Sequence, residues 1–317
     1  MTKVDEKNAY SPIVTDFLNS IKYNPPLYED TYEAARAELL KIQSYQSFLE
    51  DVQRNDYDIL LKTGEKIHVR IVRNKNLKGL LPMAFYVHGG GFVRGDAMSY
   101  DTLLYRLAKE VPASFVFVEY SLAPDVKYPK PLNELFSVFI HLVKNYQRFL
   151  LNPKKIMMMG DGVGGNLASV LTYYAINKGY KIDSEFLFYP VTNGLMNFPS
   201  HELYQEAKWV DLKTALWFWD AYEPDINNRK NPFVSPYFLS ETELKKMPFT
   251  FVLTVQNDIF RDDGLLYAEK LRGAGVDVLS LTMNGVIHDF LLLHPLMQAI
   301  ETKMGYQIII DALKTRI

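Results

Sequence analysis

Ile156-Met157-Met158-Met159-Gly160-Asp161-Gly162-Val163-Gly164-Gly165-Asn166-Leu167-Ala168 joins a short apolar run to a glycine-rich turn and then to a helical pattern. Leu167, Val170, Leu171 and Tyr174 recur at three- and four-residue steps, which predicts a helix with one apolar face. A strand that passes through a tight turn into a helix is the architecture of a nucleophile elbow, whose pattern is Gly-x-Ser-x-Gly. Here the frame Gly160-Asp161-Gly162-Val163-Gly164 is intact and its centre is Gly162. The frame is kept and the nucleophile is missing. A phosphate loop is the competing reading of these glycines. They are out of register with Gly-x-Gly-x-x-Gly, and no Walker lysine follows.

Outward from this turn the chain alternates between strand and helix patterns. Downstream, Ser184 to Tyr189 and Phe249 to Val255 are apolar runs of strand length. Asp262 to Arg272 has helical periodicity that Gly273 ends, Val276 to Met283 is the last strand, and a closing helix lies within Leu293 to Leu313. Upstream, Pro131 to Gln147 predicts a helix with proline near its start, where the missing N–H costs little. Ser114 to Glu119 reads as a strand, Tyr100 to Glu110 as a helix and Met83 to Val87 as a short strand. Asp56 to Lys62 and Lys66 to Val72 read as a hairpin through Thr63-Gly64-Glu65. The sum is eight strands, two in a hairpin and six alternating with helices. That pattern predicts an α/β fold: a mostly parallel sheet with helices on both faces.

Two segments stand outside the alternation. Ser11 to Ile21 and Asp30 to Ile42 are helical in pattern and are separated by Pro25-Pro26. Asn193 to Glu243 carries Trp209, Trp217 and Trp219, all three tryptophans of the chain. The expectation is a single domain over residues 1–317, with a helical cap built from about 1–50 and 195–225.

Composition sets the outer bounds. The chain has 317 residues, 48% hydrophobic and 23% charged, enough for one large core. A formal net charge of −2 argues against a nucleic-acid surface. The absence of cysteine excludes disulfides, thiol catalysis and cysteine-ligated zinc. Met1 to Tyr10 is polar and does not read as a signal peptide. No apolar run approaches the roughly 18 residues of a membrane span, so a cytoplasmic protein is the expectation.

In sheets of this kind, chemistry collects at the carboxyl ends of the strands. His88-Gly89-Gly90-Gly91-Phe92 ends one strand, and consecutive glycines let backbone N–H groups converge on a developing oxyanion. A plain tight turn is the alternative. Asp258 follows a buried strand and can orient a histidine, whereas Asp262 suits a helix N-cap. His288 follows the last strand and can act as a general base; His68, His141, His201 and His294 read as structural. The chain order elbow, acid, histidine is the α/β-hydrolase order.

On these residues the chain resembles the hormone-sensitive-lipase-like branch of α/β-hydrolase esterases, over roughly residues 80–295. His88-Gly89-Gly90-Gly91 resembles its HGGG signature, and Gly160 to Asn166 its GDSAGGN elbow. Glu119 to Pro124 with Tyr128-Pro129 resembles its YRLAPE…FP segment, with Ser121 where arginine is usual. Asn231-Pro232 through Ser235-Pro236 resembles its SP turn. Asp258 to Asp262 resembles DPLRD with Ile259 for proline, and His288-Asp289-Phe290 resembles HGF with Asp289 for glycine. The resemblance implies Asp258 and His288 as acid and base, with Gly162 at the nucleophile position. It implies an oxyanion hole from the N–H groups of Gly90, Gly91 and Val163, and a ligand pocket near His88, Phe92, Trp209 and Trp217. It implies small ester substrates of short to medium acyl chains, no metal or organic cofactor, and a homodimer as one assembly by analogy.

Gly162 alters that expectation. An acyl-enzyme needs a side-chain nucleophile, and losing one from a triad costs about 10⁶-fold in turnover. Asp161 should point away from the apex, and Ser121 and Ser169 are not on the elbow. Three readings stay open: an esterase whose nucleophile has been replaced, a pseudo-hydrolase that binds a small apolar ligand, and a non-covalent acid/base catalyst using His288.

Overall fold

The computed structural model describes residues 10–43 and 50–317. Its elements in chain order are α1 (Pro12–Ile21), α2 (Tyr32–Ile42), β1 (Val52–Leu60), β2 (Lys66–Asn74), β3 (Leu81–Val87), α3 (Asp101–Glu110) and β4 (Ser114–Glu119). Then come α4 (Lys130–Lys144), β5 (Leu151–Asp161), α5 (Val163–Asn177), β6 (Ser184–Phe188), α6 (Pro199–Leu203), α7 (Leu212–Tyr222) and α8 (Glu241–Leu244). β7 (Phe249–Val255), α9 (Arg261–Gly273), β8 (Val278–Met283) and α10 (Ile300–Lys314) complete the chain. The eight strands form one sheet in the order β1-β2-β4-β3-β5-β6-β7-β8. β2 is antiparallel to both its neighbours, and β3 to β8 run parallel.

Successive strand residues point to opposite faces, and here both faces are covered. Phe85, Val87, Met158 and Leu187 pack with Leu135, Phe139, Leu171 and Leu271 on one side. Tyr86, Met157, Met159 and Phe186 pack with Leu104, Leu107, Ile309 and Leu313 on the other. This double core explains the near-continuous apolar runs of the central strands. A fully buried Leu or Phe contributes roughly 1.5–3 kcal/mol, so burial outweighs the local propensities of these short segments.

β3 lies between β4 and β5, so consecutive connections leave β3 and β5 in opposite directions. That arrangement opens a crevice at the carboxyl ends. Tyr86 is level with Met159 and Val87 with Gly160. The glycine turn after β3 and the turn after β5 therefore emerge side by side.

The segments outside the sheet meet one another over this edge. Thr31 caps α2 by accepting from the Ala34 N–H at 3.1 Å. Arg36 of α2 donates to the carbonyl oxygens of Val93 (2.9 Å) and Ala123 (3.0 Å). Tyr32 stacks on Trp217 of α7 at 4.3 Å, and Phe17 of α1 meets Trp209 at 5.7 Å. The Ser11 N–H donates to the Gly285 carbonyl at 2.8 Å, tying α1 to the loop after β8. Residues 1–9 and 44–49 of the expected cap segment lie outside the described residues. Among the described residues, no helix is long and apolar enough to cross a membrane.

The first strand is Val52–Leu60 rather than Asp56 to Lys62, and three further expectations change in detail. The strand expected from Lys155 begins at Leu151, because Leu151 and Asn152 pair with Leu81 and Pro82 ahead of a register shift. The last strand begins at Val278 rather than Val276. Asp262 does not cap α9: Phe260 occupies that position, and the Asp262 carboxylate takes the Ser200 N–H at 2.9 Å and the Arg261 Nε at 2.8 Å.

Candidate active site

The turn after β5 is a sharp one. Gly162 has φ 52° and ψ −122°, in the left-handed half of conformational space, and α5 starts at the next residue. Its N–H donates to the Phe188 carbonyl at 2.9 Å, and its carbonyl accepts from Val191 at 3.0 Å. The flanking glycines are steric necessities. A Cβ on Gly160 would overlap the Gly164 backbone, and one on Gly164 would overlap the Val87 and His88 backbone. Gly162 is different. A Cβ there would meet only the His288 ring, at 3.2 Å from Nε2 and 3.7 Å from Cε1. The apex thus faces a histidine across a gap the size of a small side chain.

Beside it runs the turn after β3, where Gly90 (φ 86°), Gly91 (φ 67°) and Phe92 (φ 63°) are all left-handed. The Val93 and Arg94 N–H groups close the turn on the Gly90 carbonyl at 3.2 and 2.9 Å. Among the described residues, no hydrogen bond occupies the N–H groups of Gly90, Gly91 or Val163. Asp161 ties this turn to the elbow. Fully buried, it accepts from the Tyr86 hydroxyl (2.8 Å), the Tyr100 hydroxyl (2.8 Å) and the Gly89 N–H (3.1 Å). It does point away from the apex, as expected, but it is more than an ordinary turn residue. Burial pushes its pKa up to about 7, with nearby Asp289 adding to the rise and the three donors opposing it.

His288 lies opposite Gly162, flanked by Tyr189 at 4.8 Å and Phe260 at 5.1 Å. Its Nδ1 is 2.7 Å from the Asp258 carboxylate. The other Asp258 oxygen accepts the Phe260 N–H at 2.9 Å, which fixes the carboxylate. On the far side of the ring, the Asp289 carboxylate lies 3.5 Å from Nε2. Asp289 has φ 63° and accepts the Trp209 Nε1–H at 2.9 Å. Burial alone would lower the His288 pKa. The Asp258 and Asp289 charges overcome it and push it up to about 9. The two carboxylates on either side of the ring favour its imidazolium form.

Four expected pocket residues separate into two groups. Trp209 reaches the centre, through its bond to Asp289. His88 does not: its ring is buried behind the glycine turn, stacked on Tyr120 at 4.2 Å and beside Phe117 at 5.1 Å. Desolvation lowers its pKa to about 4, so it is neutral. Phe92 stacks on Tyr222 at 3.9 Å within the packing of α7. Trp217 turns to Tyr32, and it is Phe218, one residue on, whose ring packs against Gly91. One residue is about 100° around a helix, so the docking angle of α7 decides which aromatic faces the turn. Asp289, marked in the sequence only as a departure from glycine, faces the His288 ring, and Arg94, which residue patterns did not single out, lies against the Trp209 and Phe218 rings. Among the described residues, no three His, Asp or Glu side chains converge to hold a metal ion.

A family model of the alpha/beta hydrolase fold matches residues 84–292. The chain is 34% identical over 304 residues to an alpha/beta hydrolase of Acanthamoeba polyphaga mimivirus, covering 96% of this chain and 87% of the relative. It is 28% identical over 264 residues to an ethyl acetate hydrolase of Pseudomonas putida, covering 82% of each. Among solved structures, a thermostable esterase from Pseudomonas putida ECU1011 superposes with a TM-score of 0.94 at 30% identity, covering 98% of each chain. The matched region contains both glycine turns and both ends of the Asp258–His288 pair, and the chain belongs to the α/β-hydrolase family, in its carboxylesterase-type branch.

Proposed function

We propose that this chain holds a small ester or apolar carboxylic ligand in the pocket of a carboxylesterase, and that it is nearly inactive by the acyl-enzyme route. Gly162 stands at the nucleophile position. Asp258 orients His288, and the N–H groups of Gly90, Gly91 and Val163 would receive a carbonyl oxygen. The observation that carries this reading is the gap between Gly162 and His288 Nε2: a Cβ would sit 3.2 Å from that nitrogen, and there is none. Esterase relatives, one of them named for ethyl acetate, support a small ester as the ligand class.

Asp289 supports a binding role over the simple loss of one hydroxyl. A triad histidine must accept the nucleophile's proton on Nε2. Here a carboxylate faces that nitrogen, and the pKa of about 9 keeps the proton on the ring. Restoring a serine alone then gives a poor base at neutral pH. The test is p-nitrophenyl butyrate hydrolysis by the native chain, Gly162→Ser and Gly162→Ser/Asp289→Gly. The native chain should be slower than the double variant by about 10³-fold or more, with the single variant between. A native rate equal to that of the double variant would sink the proposal. The left-handed φ of Gly162 makes serine cost about 1 kcal/mol, which a domain of this size tolerates.

A further inference from the structure

Arg94 is the buried charge that nothing above uses. Its side chain is 1% exposed, yet Nε and Nη1 have no hydrogen-bond partner among the described residues. The guanidinium lies 5.5 Å from the ring centres of both Trp209 and Phe218. Both rings touch the site: Trp209 holds Asp289, and Phe218 covers Gly91. Arg94 also closes the glycine turn through its backbone N–H to Gly90. The residue is therefore anchored in the glycine turn by its backbone, with its guanidinium against the Trp209 and Phe218 rings.

Burying a guanidinium with two idle donors is costly unless a ligand completes it. The nearest carboxylate charges are Asp289 and Glu38, and neither forms an ion pair with it among the described residues. A cleft of about 550 Å³ lies between α1 and α2, walled by Ile13, Phe17 and Ile42 together with the charged Asp16, Glu38 and Lys41. Phe17 lines this cleft and also meets Trp209, whose ring lies 5.5 Å from the Arg94 guanidinium.

We infer that Arg94 is a specificity-determining residue, and that the pocket takes a ligand with one carboxylate on an apolar body. The carboxylate pairs with the planar fork of Arg94, and the apolar body lies against the Trp209 and Phe218 rings beside it. A dianionic group such as phosphate fits worse, because Asp289 and Glu38 face the same cation. This deepens the ligand-binding reading above and rests on it.

Calorimetric binding of 4-phenylbutyrate and octanoate, each beside its methyl ester, tests the inference. The native chain should bind each acid at least about tenfold more tightly than its ester, the usual scale for a charge-assisted pair. Arg94→Met should lose that preference and keep its affinity for the ester; Arg94→Lys should retain part of it. Equal binding of acid and ester by the native chain, or an acid preference that survives in Arg94→Met, overturns the Arg94 assignment alone. No binding of either compound overturns the ligand-binding reading as well. Where Arg94→Met fails to fold, Arg94→Lys carries the test, and an acid preference as large as the native chain's overturns the assignment.

Discussion

Two positions a few ångströms apart govern the chemistry at the scale of single residues. Gly162 removes the atom that would attack, and Asp289 changes the group that would activate it. Both sit at left-handed backbone angles, 52° and 63°, but only glycine takes such an angle without strain. Asp289 keeps its conformation through the Trp209 bond and the attraction of its carboxylate to His288. The expected consequence is direct. In a carbon-detected NMR titration His288 should titrate near pH 9, and Asp289→Gly should move that titration to lower pH. The sign also applies to stability. A histidine whose folded pKa lies above its ordinary 6.5 contributes stability that is full below that value and is lost as pH rises through about 9. An unmoved titration in Asp289→Gly would show that this carboxylate does not hold the proton. Gly162, Asp258 and His288 were legible in sequence because motif spacing fixes them. Arg94 was not, because nothing local in Val93-Arg94-Gly95 signals that a charge will be buried.

At the scale of elements, the strands were legible because burial on both faces writes itself as apolar runs. β6 contains the exception. Glu185 is the second residue of Ser184–Phe188, fully buried, with neither carboxyl oxygen hydrogen-bonded among the described residues. The nearby hydroxyls are engaged elsewhere: Thr172 donates to Ala168, and Ser169 pairs with Tyr267. Burial pushes the Glu185 pKa up to about 8 from its ordinary 4.5. The folded chain therefore keeps this proton while the unfolded chain releases it. The associated stability is full below pH 4.5 and is lost as pH rises through about 8. Glu185→Gln has no proton to lose. By thermal melting it should exceed the native chain by roughly 5 °C or more at pH 8, with the difference closing at pH 4.5. A difference independent of pH would contradict the assignment. Which face of α7 meets the glycine turn was not legible, since Trp217 and Phe218 are equally aromatic and differ only in helical phase.

At the scale of the whole molecule, the site exists because the sheet order β4-β3-β5 brings two glycine turns to one edge. Sequence alternation implied a parallel sheet but not which strands are neighbours, because pairing depends on packing between distant segments. The contacts among the segments outside the sheet were legible only as aromatic composition. Their partners, Tyr32 on Trp217 and Phe17 on Trp209, are set by how α1 and α2 lie over the edge. The result is a scaffold that sets the His288 ring opposite Gly162, with the glycine turn after β3 alongside. Covalent labelling with a p-nitrophenyl alkylphosphonate, read by intact mass, tests that account most directly. The native chain should remain unlabelled, and Gly162→Ser/Asp289→Gly should gain one phosphonyl group per chain. A labelled native chain would mean that another side chain is the nucleophile, and a folded double variant that stays unlabelled would mean that Gly162 does not mark the reactive position.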